Sequence, residues 1–293
     1  LKIERKRQQV KVSPMTGTVL TILKIGAAAY AGLCMLVFAK QSGYIYLPDR
    51  QVTGTPADAG MPFENVPLVT SDGVSIHAWF VPAAGDSAAK GRTLLFCHGN
   101  AGDIADRIYS LQTFHNMGFN VMAFDYRGYG NSAGKPSEHG TYEDARAAWR
   151  YLTDARGIPP GSIALFGRSL GAAVACELAT ELDAGALLME STFSSAPDMA
   201  KMMFPYLPCR MLCRFKYDSV SKIDKVNMPV LVAHSPLDEM IPFAHGRKLF
   251  EAAREPKMFI ETTGEHNTGG LDNDPAYRAA FAAFIAENVA GDK

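Results

Sequence analysis

The stretch Ile163-Ala164-Leu165-Phe166-Gly167-Arg168-Ser169-Leu170-Gly171-Ala172-Ala173-Val174-Ala175-Cys176 joins an apolar run to a compact helical run through two glycines and a serine. Apolar residues that do not alternate with polar ones read as a strand buried on both faces. The small residues after Gly171 read as a helix packed close to that strand. A G-x-S-x-G pentapeptide between the two is what a sharp strand-to-helix turn requires, and such a turn holds its serine strained and exposed. A second match, Gly130-Asn131-Ser132-Ala133-Gly134, runs into Lys135-Pro136 with no helix directly behind it, so Ser132 reads as a loop serine.

Working outward, further short apolar runs lie at 93–97, 120–124, 186–189, 230–233 and 258–260. Stretches at helical spacing lie between and after them, at 104–117, 141–156, 170–182, 243–253 and 275–288. Residues 74–81 alternate in part after the turn Ser71-Asp72-Gly73 and read as an opening antiparallel strand. Strand and helix in repetition predict an α/β fold, a doubly wound and mostly parallel sheet with helices on both faces over residues 66–290. In such sheets, ligands bind outside the carboxyl ends of the strands, so reactive residues are sought there.

A serine hydroxyl needs a base to become a nucleophile. Of the seven histidines, His266 is best placed, in the loop after the last apolar run and ahead of the final helix. The acid that orients it should fall between serine and histidine in the chain, and Asp238, just after the run 230–233, fits. Glu190 is the reserve, and His234 reads as a residue that shapes the loop. His98-Gly99-Asn100-Ala101-Gly102 follows the run 93–97, where backbone N–H groups can point at a developing oxyanion. The expected donors are the N–H groups of Asn100 and Leu170.

HGNAG at 98–102, FDYRGYGNS at 124–132, GRSLG at 167–171, HSPLDEMIP at 234–242 and GEHN at 264–267 occur together. In this combination the chain resembles the α/β-hydrolase-domain-containing proteins, in the branch of membrane-anchored serine hydrolases that includes palmitoyl-protein thioesterases. The resemblance implies the α/β-hydrolase fold and a Ser169, Asp238, His266 triad acting through an acyl-enzyme. It carries over no substrate. The depalmitoylating members have a cysteine-rich N-terminus, whereas this chain has Cys34 alone there. The expected activity is hydrolysis of a carboxylic ester or thioester. The alternatives are an aminopeptidase-like amidase and a non-catalytic, membrane-tethered binding protein on the same fold.

Lysine and arginine total 29 against 30 acidic residues, so charge recruits no nucleic acid and the partner expected is a small-molecule or acylated substrate. The five cysteines lack structural-zinc spacing, and neither a metal nor another cofactor is expected. Residues 17–39 are apolar except for Lys24 and, as a helix of ~1.5 Å per residue, are long enough to span a bilayer. They follow a basic flank at 1–16, which predicts a single-pass signal anchor with the catalytic domain on the non-cytoplasmic side. A cleaved signal peptide and an amphipathic cap helix are the other readings of that segment. Residues 40–65 read as a linker. About forty residues separate the runs at 186 and 230, room for a helix and a small excursion but no large lid. That insert is crowded with Met199, Met202, Met203, Phe204, Tyr206 and Met211, either an ordinary packed helix or an apolar rim for an acyl chain or bilayer.

Overall fold

The computed structural model describes residues 14–85 and 91–291, so the basic flank read at 1–16 lies almost wholly outside the described residues. The chain divides between Gln41 and Ser42 into two units. Helix α1 (Pro14–Ile45) makes up the described part of the first and continues into the second. Its window Thr16–Ile45 is long and apolar enough to cross a membrane by length and composition, and it extends six residues past the predicted end at 39. Leu20, Ile22, Leu23, Ile25, Leu36 and Phe38 are all exposed. Apolar residues at such close intervals surround a helix rather than stripe it, which is not the pattern of an amphipathic cap helix.

The second unit begins with a two-residue strand, β1 (Leu47–Pro48), and a 3-10 turn at Pro56–Ala59. Then follow β2 (Glu64–Val69), β3 (Ser75–Val81), β4 (Thr93–Cys97) and β5 (Ala101–Gly102). Next come α2 (Ile108–Asn116), β6 (Asn120–Phe124), α3 (Glu138–Arg150), β7 (Ile163–Arg168), α4 (Leu170–Ala179) and β8 (Ala186–Glu190). The insert holds α5 (Ala196–Met203) and α6 (Cys209–Leu212), and the chain ends with β9 (Val230–His234), α7 (Phe243–Ala252), β10 (Lys257–Glu261) and α8 (Pro275–Asn288). The main sheet has eight strands in the order β10-β9-β8-β7-β4-β6-β3-β2. β2 and β3 run antiparallel to their neighbours, and the remaining pairings are parallel.

Alternation along the buried strands sorts side chains onto the two faces, as a period of two requires. Leu95, Leu165, Leu187 and Val232 enter a core shared with Ala145, Leu170 and Val174 of α3 and α4. Leu94, Phe96, Phe166, Leu188 and Leu231 enter the opposite core, with Leu111 and Phe114 of α2 and Phe281 and Phe284 of α8. Phe166 packs with Phe96, Phe114 and Phe281 at ring-centroid distances of 5.4, 5.1 and 5.9 Å. Each such ring stabilises the fold by roughly 1.5–3 kcal/mol through burial, so the strand leading to Ser169 is among the most firmly held.

Residues 40–65, read from the sequence as a linker, carry Tyr46 and Met61 into the interior. The Tyr46 hydroxyl lies 2.8 Å from that of Tyr217. In the insert, Met202, Met203, Tyr206 and Met211 are exposed.

Candidate active site

β4 is flanked by β6 on one side and β7 on the other. The direction of strand addition reverses there, and the crevice outside the carboxyl ends of β4 and β7 is the expected ligand site. Ser169 stands in it alone between β7 and α4, with φ 54° and ψ −120°. That left-handed φ is the strain expected of a nucleophile turn. The glycines make the turn possible. A Cβ on Gly167 would lie 2.4 Å from Ala172 Cα, and one on Gly171 would lie 1.9 Å from the Cys97 carbonyl oxygen. Backbone bonds hold the serine from both sides: its N–H donates to Glu190 O at 2.9 Å, and its carbonyl accepts from Thr192 Oγ1 at 2.8 Å.

Asp238 follows β9 in a turn. Its Oδ1 accepts from the N–H groups of Met240 (3.0 Å) and Ile241 (2.7 Å), and its Oδ2 lies 2.8 Å from His266 Nδ1. Burial alone would raise this carboxyl, but hydrogen bonds from His234, His266 and Ile241 outweigh it and hold Asp238 well below the usual carboxylate range. An ionised Asp238 accepts only, so Nδ1 of His266 is the protonated nitrogen and Nε2 is left as a base. The His266 N–H is held by Glu239 Oε2 at 2.9 Å. Asp238 and His266 are thus brought together across 28 positions of sequence. Among the described residues, no hydrogen bond joins Ser169 Oγ to His266. Such bonds are often long in ligand-free enzymes and shorten when substrate binds.

The loop after β4 passes next to the serine, since a Cβ on Gly99 would sit 3.7 Å from Ser169 Cβ. His98 is buried, and its Nδ1 donates to the Gly99 carbonyl at 2.8 Å. In a planar trans peptide the C=O and the following N–H point in opposite directions. By holding Gly99 O, the His98 ring therefore aims the N–H of Asn100 away from itself. Burial, assisted by the charge of Arg107, pushes His98 down to about 3, so the ring stays neutral. Leu170 N–H is the first of α4 and, like the opening donors of any helix, has no partner within it.

The stretch 124–132 supports this loop rather than the reaction. Tyr126 OH donates to His98 O at 2.9 Å, and Tyr129 OH donates to Asn100 O at 2.8 Å. Ser132, the second G-x-S-x-G serine, is fully buried. Its Oγ accepts from His77 N at 2.9 Å and donates to Asp125 O at 2.8 Å.

A model of the alpha/beta hydrolase family matches residues 94–288, which contain Asn100, Ser169, Leu170, Asp238 and His266. The chain belongs to the alpha/beta hydrolase family. It is 35% identical over 271 residues to the uncharacterized protein Rv2307c of Mycobacterium tuberculosis, covering 92% of this chain and 96% of that one. It is 33% identical over 293 residues to the alpha/beta hydrolase domain-containing protein WAV2 of Arabidopsis thaliana, covering 92% and 94%. Among solved structures it is similar to the Pyrococcus furiosus esterase Pf2001, with TM-score 0.68, 18% identity, and coverage of 84% of this chain and 99% of that one.

In this alpha/beta hydrolase the variable position of the pentapeptide is itself tied down. Arg168 pairs with Glu190, and its Nη1 donates to Asp272 Oδ2 at 2.7 Å and to Ser110 Oγ at 3.1 Å. Burial would lower this guanidinium, but Glu190 and Asp272 hold it above its ordinary value. Glu190 also accepts from Leu271 N at 3.0 Å, so it is committed to the cluster, and among the described residues no hydrogen bond or ion pair joins it to His266. Sequence reasoning missed this cluster. The available signal was a charged residue at the end of a strand that is otherwise buried.

Proposed function

We propose that this alpha/beta hydrolase cleaves a carboxylic ester or thioester through an acyl-enzyme on Ser169. The observation that carries the reading is the 2.8 Å bond between Asp238 Oδ2 and His266 Nδ1, which leaves Nε2 as a base in the same domain as a serine with φ 54°. In the reaction, Ser169 Oγ attacks the carbonyl carbon as its proton passes to Nε2, and the oxyanion forms facing the N–H groups of Asn100 and Leu170. The imidazolium, stabilised by ionised Asp238, returns the proton to the leaving alcohol or thiol. Water then repeats the sequence on the acyl-enzyme and restores the free serine.

The apolar helix α1 supports tethering to a membrane. Esterase activity in the structurally similar Pyrococcus protein fits the same chemistry, although at 18% identity the likeness is one of fold.

The test is covalent labelling with a fluorophosphonate, with turnover of p-nitrophenyl esters and acyl thioesters of increasing chain length measured in parallel. Labelling and turnover of the wild type, both lost in Ser169→Ala, are expected. An unlabelled wild type, or equal labelling of the variant, overturns the reading.

A further inference from the structure

The residues that leave the apolar helix do not simply connect it to the sheet. Ile45, the last residue of α1, accepts from Asn100 Nδ2 at 3.1 Å. Leu47 N–H donates to Asn100 O at 3.0 Å. β1 then pairs in parallel with β5, setting Leu47 against Ala101 and Pro48 against Gly102. Asp49 closes the segment, its N–H donating to Gly102 O at 3.1 Å and its carbonyl accepting from Gly130 N at 2.7 Å. Tyr46 locks the segment inward, buried and 2.8 Å from the Tyr217 hydroxyl.

Asn100 is therefore held on three sides. Its carbonyl takes bonds from Leu47 and Tyr129, its side-chain amide is given to Ile45, and the peptide before it is held by His98. Its backbone N–H is the group left for a ligand. A two-residue strand has no stability of its own, so bonds this closely gathered on one residue need a reason, and aiming that N–H supplies it.

We propose that residues 45–49 form a strap that positions the Asn100 oxyanion donor, making the exit of the N-terminal helix a working part of the catalytic site. The proposal rests on reading Asn100 N–H as an oxyanion donor. Misplacing a donor by a fraction of an ångström weakens its contact in the transition state far more than it weakens ground-state binding. Loss of the strap should therefore lower kcat and leave KM largely intact.

The experiment uses the full chain and two substitutions that act at different points. Asn100→Ala deletes the side-chain tether but keeps the backbone donor, and Leu47→Pro deletes the N–H given to Asn100 O. Gln51→Ala, just beyond the strap, is the control. Each is assayed for kcat and KM on a p-nitrophenyl ester, for Tm, and for inhibition by a trifluoromethyl ketone, which forms an oxyanion adduct, beside the matched methyl ketone. In both strap variants we expect kcat to fall ~10-fold or more with KM within about twofold. Affinity for the trifluoromethyl ketone should weaken by the same factor, with the methyl ketone unaffected. Wild-type kcat and ketone affinity in a folded Asn100→Ala chain would overturn the strap, as would losses in both variants that track the fraction of unfolded protein. A wild type that neither turns over esters nor labels would instead overturn the hydrolase reading itself.

Discussion

His234 Nε2 lies 3.4 Å from Asp238 Oδ2, the same oxygen that holds His266 Nδ1 at 2.8 Å. His234 also donates from Nε2 to Ile241 O at 2.8 Å, and Ile241 N in turn donates to Asp238 Oδ1. A buried histidine thus braces the carboxylate that orients a half-buried one. Replacing it with His234→Leu leaves Ile241 O without its donor and should cost roughly 1–3 kcal/mol in stability. The looser carboxylate should lower kcat about tenfold at pH 7. Denaturant melts and steady-state kinetics check both, and an unchanged kcat would show that Asp238 needs no such brace.

Asp238→Asn should keep the fold but lose ~10³–10⁴-fold in kcat, because an amide can present the wrong partner to His266 Nδ1. The carboxyl is depressed in the folded state, so its stabilising contribution is complete above about pH 4 and disappears as pH falls through the folded value. Wild type and variant should differ in stability at neutral pH and converge in strong acid. A gap that persists into acid would contradict this assignment.

Ser132→Ala should leave fluorophosphonate labelling intact while lowering stability by ~1–3 kcal/mol, since His77 N and Asp125 O both lose a buried partner. Loss of labelling at full stability would move the nucleophile to Ser132.

Arg168→Met strands two buried carboxylates, Glu190 and Asp272, and should destabilise the protein by ~3–5 kcal/mol. Adding Glu190→Gln and Asp272→Asn should recover most of that loss. A triple variant no more stable than the single one would show that Arg168 acts through packing rather than charge.

His98 is neutral when buried and titrates at about 3, against about 6.5 in an unfolded chain. Between those values the unfolded chain binds the extra proton, so stability should fall as pH drops through that window, by at most ~1.4 kcal/mol per unit from this residue. His98→Gln should flatten the slope between pH 6.5 and 4. An equally steep profile in the variant would place the acid sensitivity elsewhere.

Much of the sheet is legible in the amino-acid sequence. The runs at 93–97 and 120–124 coincide with β4 and β6, because residues buried on both faces must be apolar without interruption. The strained strand-to-helix turn at Ser169 was legible for a local reason: strand, glycine, serine, glycine and helix are contiguous. The nearness of Asp238 to His266 was legible because each follows a strand end, and the topology then brings strand ends together. The rest depends on contacts distant in sequence. Arg168 meets partners at 110 in α2, 190 in β8 and 272 in the loop before α8, and nothing in GRSLG announces them. The bond from the buried His98 ring to Gly99 O depends on burial that the motif HGNAG does not announce. Residues 45–49 have neither periodicity nor length, and they become structure through the loop at 100–102.

The ion cluster behind the serine bears on how this chain can have diverged from its relatives. Arg168 occupies a position that the motif leaves open, yet Glu190, Asp272 and Ser110 all depend on it. Among homologues these four positions should change as a set: a lineage that loses the arginine must neutralise its buried acids in nearly the same step or pass through a poorly folding intermediate. Ancestry should therefore be easier to trace in this cluster than in Ser169, whose proposed role as nucleophile would hold it unchanged in every active member.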